Sequence, residues 1–157
     1  MTIRLATLSD LADINSLLYQ VARVHHDGRP DLFRAGCKKY TDEELCIHIE
    51  QEQDTRPIFV YEEDGQVLGY AFCMLMDYSG EHVLSPIKSL YIDDLCVNEN
   101  CRGKHIGTKL FDFVKSYAKE IGCYNVTLNV WACNPGALKF YEKCGMKVQK
   151  MGMETVL

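Results

Sequence analysis

Residues 95–108 read Leu-Cys-Val-Asn-Glu-Asn-Cys-Arg-Gly-Lys-His-Ile-Gly-Thr. Upstream of the loop, Ser89–Val97 is a strand-like run; downstream, from Thr108, the pattern becomes that of an amphipathic helix. A helix therefore starts at the basic, glycine-bearing turn Arg102–Thr108. The first amides of a helix have no intrahelical acceptor, and the dipoles behind them sum to partial positive charge. Such an end is a ready phosphate cradle. Arg102 and Lys104 add formal charge, and Gly103 and Gly107 let backbone approach a ligand closely. The turn is not a Walker loop, because the Gly-Lys-Ser/Thr ending is missing, and G-x-G-x-x-G does not occur in the chain. Taken alone, an ordinary strand-to-helix turn with a surface arginine is the competing reading.

Working outward, Ile3–Leu5 opens as a strand. Thr7-Leu8-Ser9-Asp10 has the spacing of a capping box, and Leu11, Ile14, Leu17, Leu18 and Val21 give one apolar face of a helix running to about Val24. Thr41-Asp42-Glu43-Glu44 is a second capping box, with Leu45, Ile49 and Cys46 as inward candidates. Pro57 ends that pattern. Ile58–Tyr61 and Val67–Met76 are two strands joined by the hairpin turn Glu63-Asp64-Gly65-Gln66. After the loop from Tyr78 to Pro86 come the strand Ser89–Val97 and the helix Thr108–Ile121, closed by Gly122. A strand over 125–130, a helix over 136–144 and a last strand over 147–153 complete the order β-α-α-β-β-β-α-β-α-β. That order predicts an α/β chain with a mixed sheet and helices on both faces. The strands before and after the cradle helix are parallel neighbours able to splay apart.

A second constellation, Asn134-Pro135-Gly136 and Phe140-Tyr141-Glu142-Lys143-Cys144-Gly145-Met146, follows the strand-like run ending at Trp131. With Arg102-Gly103-Lys104-His105-Ile106-Gly107-Thr108 it resembles the Gcn5-related N-acetyltransferase (GNAT) family, whose pyrophosphate loop is written R/Q-x-x-G-x-G/A. His105 stands where the family has its first glycine; histidine tolerates left-handed backbone better than most residues. The resemblance covers Ser89–Met153 well, and the order of the earlier elements fits.

The resemblance implies a GNAT-like fold with the pantetheine arm of acetyl-CoA in the splay of the sheet, and acetyl transfer to an amine by direct attack. It implies a β-bulge near Leu95 and pairing of Cys96 and Val97 with pantetheine amides, as an added strand pairs. The cofactor would then lie on Leu95, Cys96, Val97, Arg102, Gly103, Lys104, His105, Ile106, Gly107, Thr108 and Asn134. Asn134 has a second reading as the N-cap of a helix with Pro135 at its first position. Tyr141 matches the family tyrosine that faces the CoA sulfur. A phenol, with a pKa of about 10, can protonate a departing thiolate. The competing reading is core packing, since neighbours on a helix such as Phe140 and Tyr141 are not expected both to face the core. Asp93 matches the family carboxylate and is the candidate base through a water. Strand alternation would send Asp93 and Asp94 to opposite faces, and a buried charge there needs partners. Both aspartates could equally serve only to satisfy local donors.

Composition bounds the rest. The 157 residues suit one domain, 1–157, and the 47% hydrophobic and 25% charged content is that of a globular chain. No apolar run approaches the ~20 residues of a membrane span, and the N-terminus lacks a signal-peptide layout, so a cytoplasmic location without membrane partners is expected. The eight cysteines form no C-x-x-C pair and fall mostly in apolar runs, which reads as reduced thiols. Zinc through Cys96, Cys101 and a histidine has poor spacing, and no metal is expected. A net charge of −5 and the absence of a basic stripe argue against nucleic acid. The acceptor is expected to be an amine on a small molecule or a peptide, with Val24–Phe33, Tyr40 and Tyr78 as candidate walls. His25, His26 and Asp27 read as a polar helix end rather than a metal cluster. A protein N-terminal or lysine acetyltransferase, an acyl-CoA sensor and a plain interaction module are the alternatives. Exposed strand ends leave a homodimer open.

Overall fold

The computed structural model describes every residue except Arg102. In chain order the elements are β1 (Thr2–Leu5), a 3-10 turn (Leu8–Asp10), α1 (Leu11–Gly28), α2 (Asp42–Gln51), β2 (Ile58–Glu63), β3 (Gln66–Asp77), β4 (Lys88–Val97), a second 3-10 turn (Glu99–Cys101), α3 (Ile106–Glu120), β5 (Asn125–Leu128) and α4 (Pro135–Lys143). The sheet runs β1-β2-β3-β4-β5; all neighbours are antiparallel except β4 and β5. Both capping boxes are present, at Thr7/Asp10 and Thr41/Glu44. The hairpin turns through Asp64 and Gly65, both with positive φ.

Strand alternation divides the core into two clusters, one on each face of the sheet. Ile58 and Val60 of β2, with Tyr70 and Phe72 of β3, pack against Ile14, Leu17, Leu18 and Leu45 of α1 and α2. Phe59, Ala71, Leu90 and Ile92 pack against Leu110, Phe111 and Val114 of α3. Each such side chain of Val, Leu, Ile or Phe size, fully buried, contributes about 1.5–3 kcal/mol. These two clusters hold α1 and α3 on opposite faces and so fix what reaches β4 from each side.

Several elements depart from expectation. Helix α1 runs on to Gly28, where the Arg29 amide donates to the His25 carbonyl. A Cβ on Gly28 would stand 2.8 Å from Cys133 Sγ, so the bare glycine lets the helix end lie against the turn before α4. β5 stops at Leu128, two residues short of its apolar run, because its partner β4 changes course at that level. The stretch 147–153 is not a strand. A strand exists through its ladder, and among the described residues this exposed segment pairs with no strand of the sheet.

The β4 register carries the main correction. Phe72 pairs with Asp94 but Cys73 pairs with Ile92, so Asp93 is an extra, bulged residue. The bulge lies two residues before Leu95, where it was expected. One extra residue inverts the side-chain phase. Leu90 and Ile92 face α3 before it, and Leu95 and Val97 face α3 after it, while Cys96 packs with the α1 cluster. Asp94 therefore shares the α1 face with Cys96 instead of lying opposite Asp93.

Candidate active site

The β4–β5 ladder runs from Ser89/Asn125 to Ile92/Leu128 and ends there, where the bulge begins. Beyond that point 93–97 have no partner strand on the β5 side, and a cleft opens between the two strands. Its walls come from β4, the α1–α2 loop, the turn 129–134, α4 and the chain after α4.

At the Val97 end of this unpaired edge stands the start of α3, with Gly107 seated between Val97 and Phe140. His105 is its N-cap in left-handed backbone, φ 58°, and its side chain caps nothing. The amides of Ile106, Gly107 and Thr108 are thus the unsatisfied first turn of a 15-residue helix. Gly103 turns the chain with φ 84°. Gly107 has a packing role as well, since a Cβ there would meet the Phe140 ring at 3.2 Å. Lys104 lies 4.0 Å from Glu63 in an exposed pair that contributes little. Arg102 falls outside the described residues. His105→Gly should shift stability by no more than about 1 kcal/mol, because glycine relieves the left-handed strain and loosens the unfolded chain. His105→Val should cost about 1–3 kcal/mol. Urea midpoints of the two variants check both numbers.

The α1–α2 loop closes over the bulge. Lys39 Nζ donates to Asp93 Oδ1 at 2.7 Å, and Tyr40 Oη donates to Asp93 Oδ2. Tyr40 is clamped in turn, stacked on Phe72 at 5.3 Å and edge-on to the buried His48 at 5.0 Å. Burial first, then the Asp93 hydrogen bond and charge, raises the Tyr40 phenol above its ordinary pKa. Asp93, expected as the base, thus has a donor on each oxygen and a side chain only 12% exposed.

Asp94 differs. One oxygen accepts from Tyr70 Oη at 2.7 Å. Burial pushes its carboxyl up to about 6, against the opposing pull of the Tyr70 hydrogen bond and the Lys39 charge. On α4, the Tyr141 phenol is raised by burial and then by the Asp94 charge. Among the described residues the Tyr141 hydroxyl has no hydrogen-bond partner, while its ring rests on Phe140 at 5.0 Å and Phe111 at 6.0 Å. Phe140 and Tyr141 both pack against the α3-side core, contrary to expectation. Asn134 caps α4, its Oδ1 accepting from the Ala137 amide at 3.2 Å.

Farther along the cleft, His25, Phe33 and Trp131 form an aromatic wall, with ring centroids 5.1 Å apart at both junctions. Burial and then the Lys39 charge hold the His25 imidazole below its ordinary pKa. Neither Tyr40 nor Tyr78, both expected as walls, lines this space: Tyr40 is turned onto Phe72, and Tyr78 lies in the loop beyond the far end of β3. Trp131 escaped the sequence reading because nothing local marks it as meeting Phe33 of the α1–α2 loop. Among the described residues no three His, Cys, Asp or Glu side chains gather to hold a metal, and no helix is long and apolar enough to cross a membrane.

Residues 21–146 match the family model described as the acetyltransferase (GNAT) family. The glucosamine 6-phosphate N-acetyltransferase of Arabidopsis thaliana is 31% identical over 118 residues, which span 72% of this chain and 75% of that protein. A crystal structure of the Arabidopsis enzyme superposes with a TM-score of 0.68 at 27% identity, covering 99% of this chain and 97% of that one. A mutant of the BH1408 protein from Bacillus halodurans superposes with a TM-score of 0.93 at 30% identity, covering 100% and 99% of the two chains.

Proposed function

The chain belongs to the GNAT acetyltransferase family and is an acyl-CoA-dependent N-acetyltransferase, and from that premise we propose that it carries an acetyl group from acetyl-CoA to the primary amine of a small molecule. The reading rests on one observation above all: the β4–β5 ladder ends at Ile92/Leu128, on the way to the uncapped start of α3, with Tyr141 and the Asp93–Asp94 pair bordering the same opening.

The residues fit a CoA thioester. The amides of Ile106, Gly107 and Thr108, with Gly103, Lys104 and His105 ahead of them and Arg102 preceding these in the sequence, would hold the diphosphate. Leu95, Cys96 and Val97 offer a strand edge to the pantetheine amides, and Asn134 borders the same space with its side-chain NH₂. Bound there, CoA supplies an activated acyl group. Tyr141 would protonate the departing sulfur, its phenol kept protonated by burial. A carboxylate of the Asp93–Asp94 pair would take the ammonium proton.

Two observations favour a small acceptor over a peptide. The similar Arabidopsis protein is named for a sugar-phosphate amine. The α1–α2 loop is pinned over the bulge through Lys39 and Tyr40, which narrows the approach that an extended peptide would need. A homodimer belongs to the same proposal, because β5 leaves an open outer edge and such an edge templates pairing; light scattering over a concentration series reads it out.

The test is CoA titration followed by thiol release from acetyl-CoA with glucosamine 6-phosphate, glucosamine, spermidine, lysine and a peptide with a free N-terminus. CoA binding and turnover with at least one of the four small amines, outpacing the peptide, is the expected result. Binding without any turnover would leave a sensor, and turnover with the peptide alone would make this a protein acetyltransferase.

A further inference from the structure

The bulge in β4 gives the two neighbouring aspartates unequal work. Asp93 is the extra residue, and it holds Lys39 on one oxygen and Tyr40 on the other. Its negative charge is spent on the Lys39 ammonium, which also reaches the Asp93 carbonyl oxygen at 3.3 Å. Asp94, turned onto the same face by the phase shift, has one side-chain donor among the described residues, the uncharged Tyr70 hydroxyl. Of the two it is therefore the carboxylate whose charge no ion pair among the described residues offsets, and Tyr141 feels that charge across the cleft.

We infer that Asp94, and not Asp93, receives the acceptor's ammonium proton, that Tyr70 positions it, and that Asp93 anchors the α1–α2 loop over the cleft. The inference rests on the transfer reading above. The step balances as follows. Asp94 takes one proton from the ammonium and passes it to water. The amine nitrogen then bonds to the thioester carbonyl carbon as the carbon–sulfur bond breaks. Tyr141 gives its proton to the sulfur and is restored by the second proton that the nitrogen sheds.

The groups that face Asp94 come from every side: Tyr70 from β3, Asp93 and Cys96 from β4, Lys39 and Tyr40 from the loop, and Tyr141 from α4. Burial dominates among them and raises Asp94 to about 6, which suits a base working near neutrality. The sign follows for stability too. The folded value lies above the ordinary value of about 4, so folding binds a proton between these pH values. The ionised carboxyl burdens the fold above about pH 6, and that burden vanishes below about pH 4.

The experiment compares D94N, D93N and Y70F with wild type, using acetyl-CoA and the fastest acceptor of the panel above, with kcat followed across pH. Wild type should lose activity as pH falls through about 6. D94N should drop kcat by about 10²-fold and lose that acid limb, with its affinity for CoA retained. D93N should keep the limb. Y70F should keep it at higher pH, since a hydrogen bond to the charged form is gone. The carboxamide that D94N introduces retains an oxygen to accept from Tyr70, so the variant should fold, with a thermal midpoint at pH 8 at or above wild type. A limb that outlives D94N, or that disappears in D93N, overturns the assignment alone. A wild type that releases no thiol with any acceptor overturns the transfer reading and the assignment with it.

Discussion

Tyr141→Phe is expected to lower kcat by about 10³-fold while CoA affinity stays within about twofold. The change removes one oxygen and keeps the ring, so the contacts with Phe140 and Phe111 remain. That oxygen bonds to no described group, so its loss leaves no buried partner orphaned and the fold should melt within about 0.5 kcal/mol of wild type. What disappears is the proposed acid. The phenol is raised by burial and by the Asp94 charge, so it stays protonated throughout the working range and, in the proposed role, would donate as negative charge collects on sulfur. A thiolate leaving without that proton must wait for water. Thiol-release kinetics at saturating acetyl-CoA, beside a CoA titration of the same variant, separate the two effects. Equal kcat in the variant and wild type would remove Tyr141 from the acid role; a matching loss of CoA affinity would recast it as a binding residue.

Much of this site was legible in the chain, and the parts that were not share one cause. The uncapped α3 start, both capping boxes and the Asp64-Gly65 hairpin are local patterns, and each stands where its residues put it. The Asn134 cap with Pro135 behind it is local as well. The partners of the aspartates are not. Tyr40 reaches Asp93 from 53 residues away, and Tyr70 reaches Asp94 from 24. Nothing in either neighbourhood announces the meeting. The stretch 147–153 fails for the same reason: β-like composition becomes a strand only by joining a ladder, and among the described residues this one joins none. The bulge, by contrast, left a trace. The apolar positions of β4 that face α3 are 90, 92, 95 and 97, a spacing of two, three and two. That slip of one residue marks an insertion, and read as such it predicts Asp93 and Asp94 on one face rather than two.

The largest effect on stability should come from Phe111→Ala, which is expected to cost about 3–5 kcal/mol. A domain of this size holds together by only about 5–15 kcal/mol, so the variant should unfold at far lower urea with an unchanged slope. Phe111 is 1% exposed in the centre of the α3-side cluster, among Leu90, Ile92, Leu110 and Val114. Its removal leaves a hole bounded by a sheet and a helix, neither of which collapses easily into it. Lys115 also loses the ring beneath its ammonium, 5.3 Å away. The functional consequence follows from what else leans on this ring. Phe111 sits about one and a half turns into the helix whose first amides are proposed as the cradle, and Tyr141 rests on it from α4. Phe111→Leu, which keeps most of the volume, should cost less than about 1.5 kcal/mol and stay folded. In that milder variant Tyr141 loses one of its two aromatic neighbours, keeping Phe140, while the α3 first turn keeps its place, so kcat should fall more than CoA affinity. An affinity loss as large as the kcat loss would mean instead that the ring supports the cradle and not the acid, and that the two ends of the site are coupled through α3.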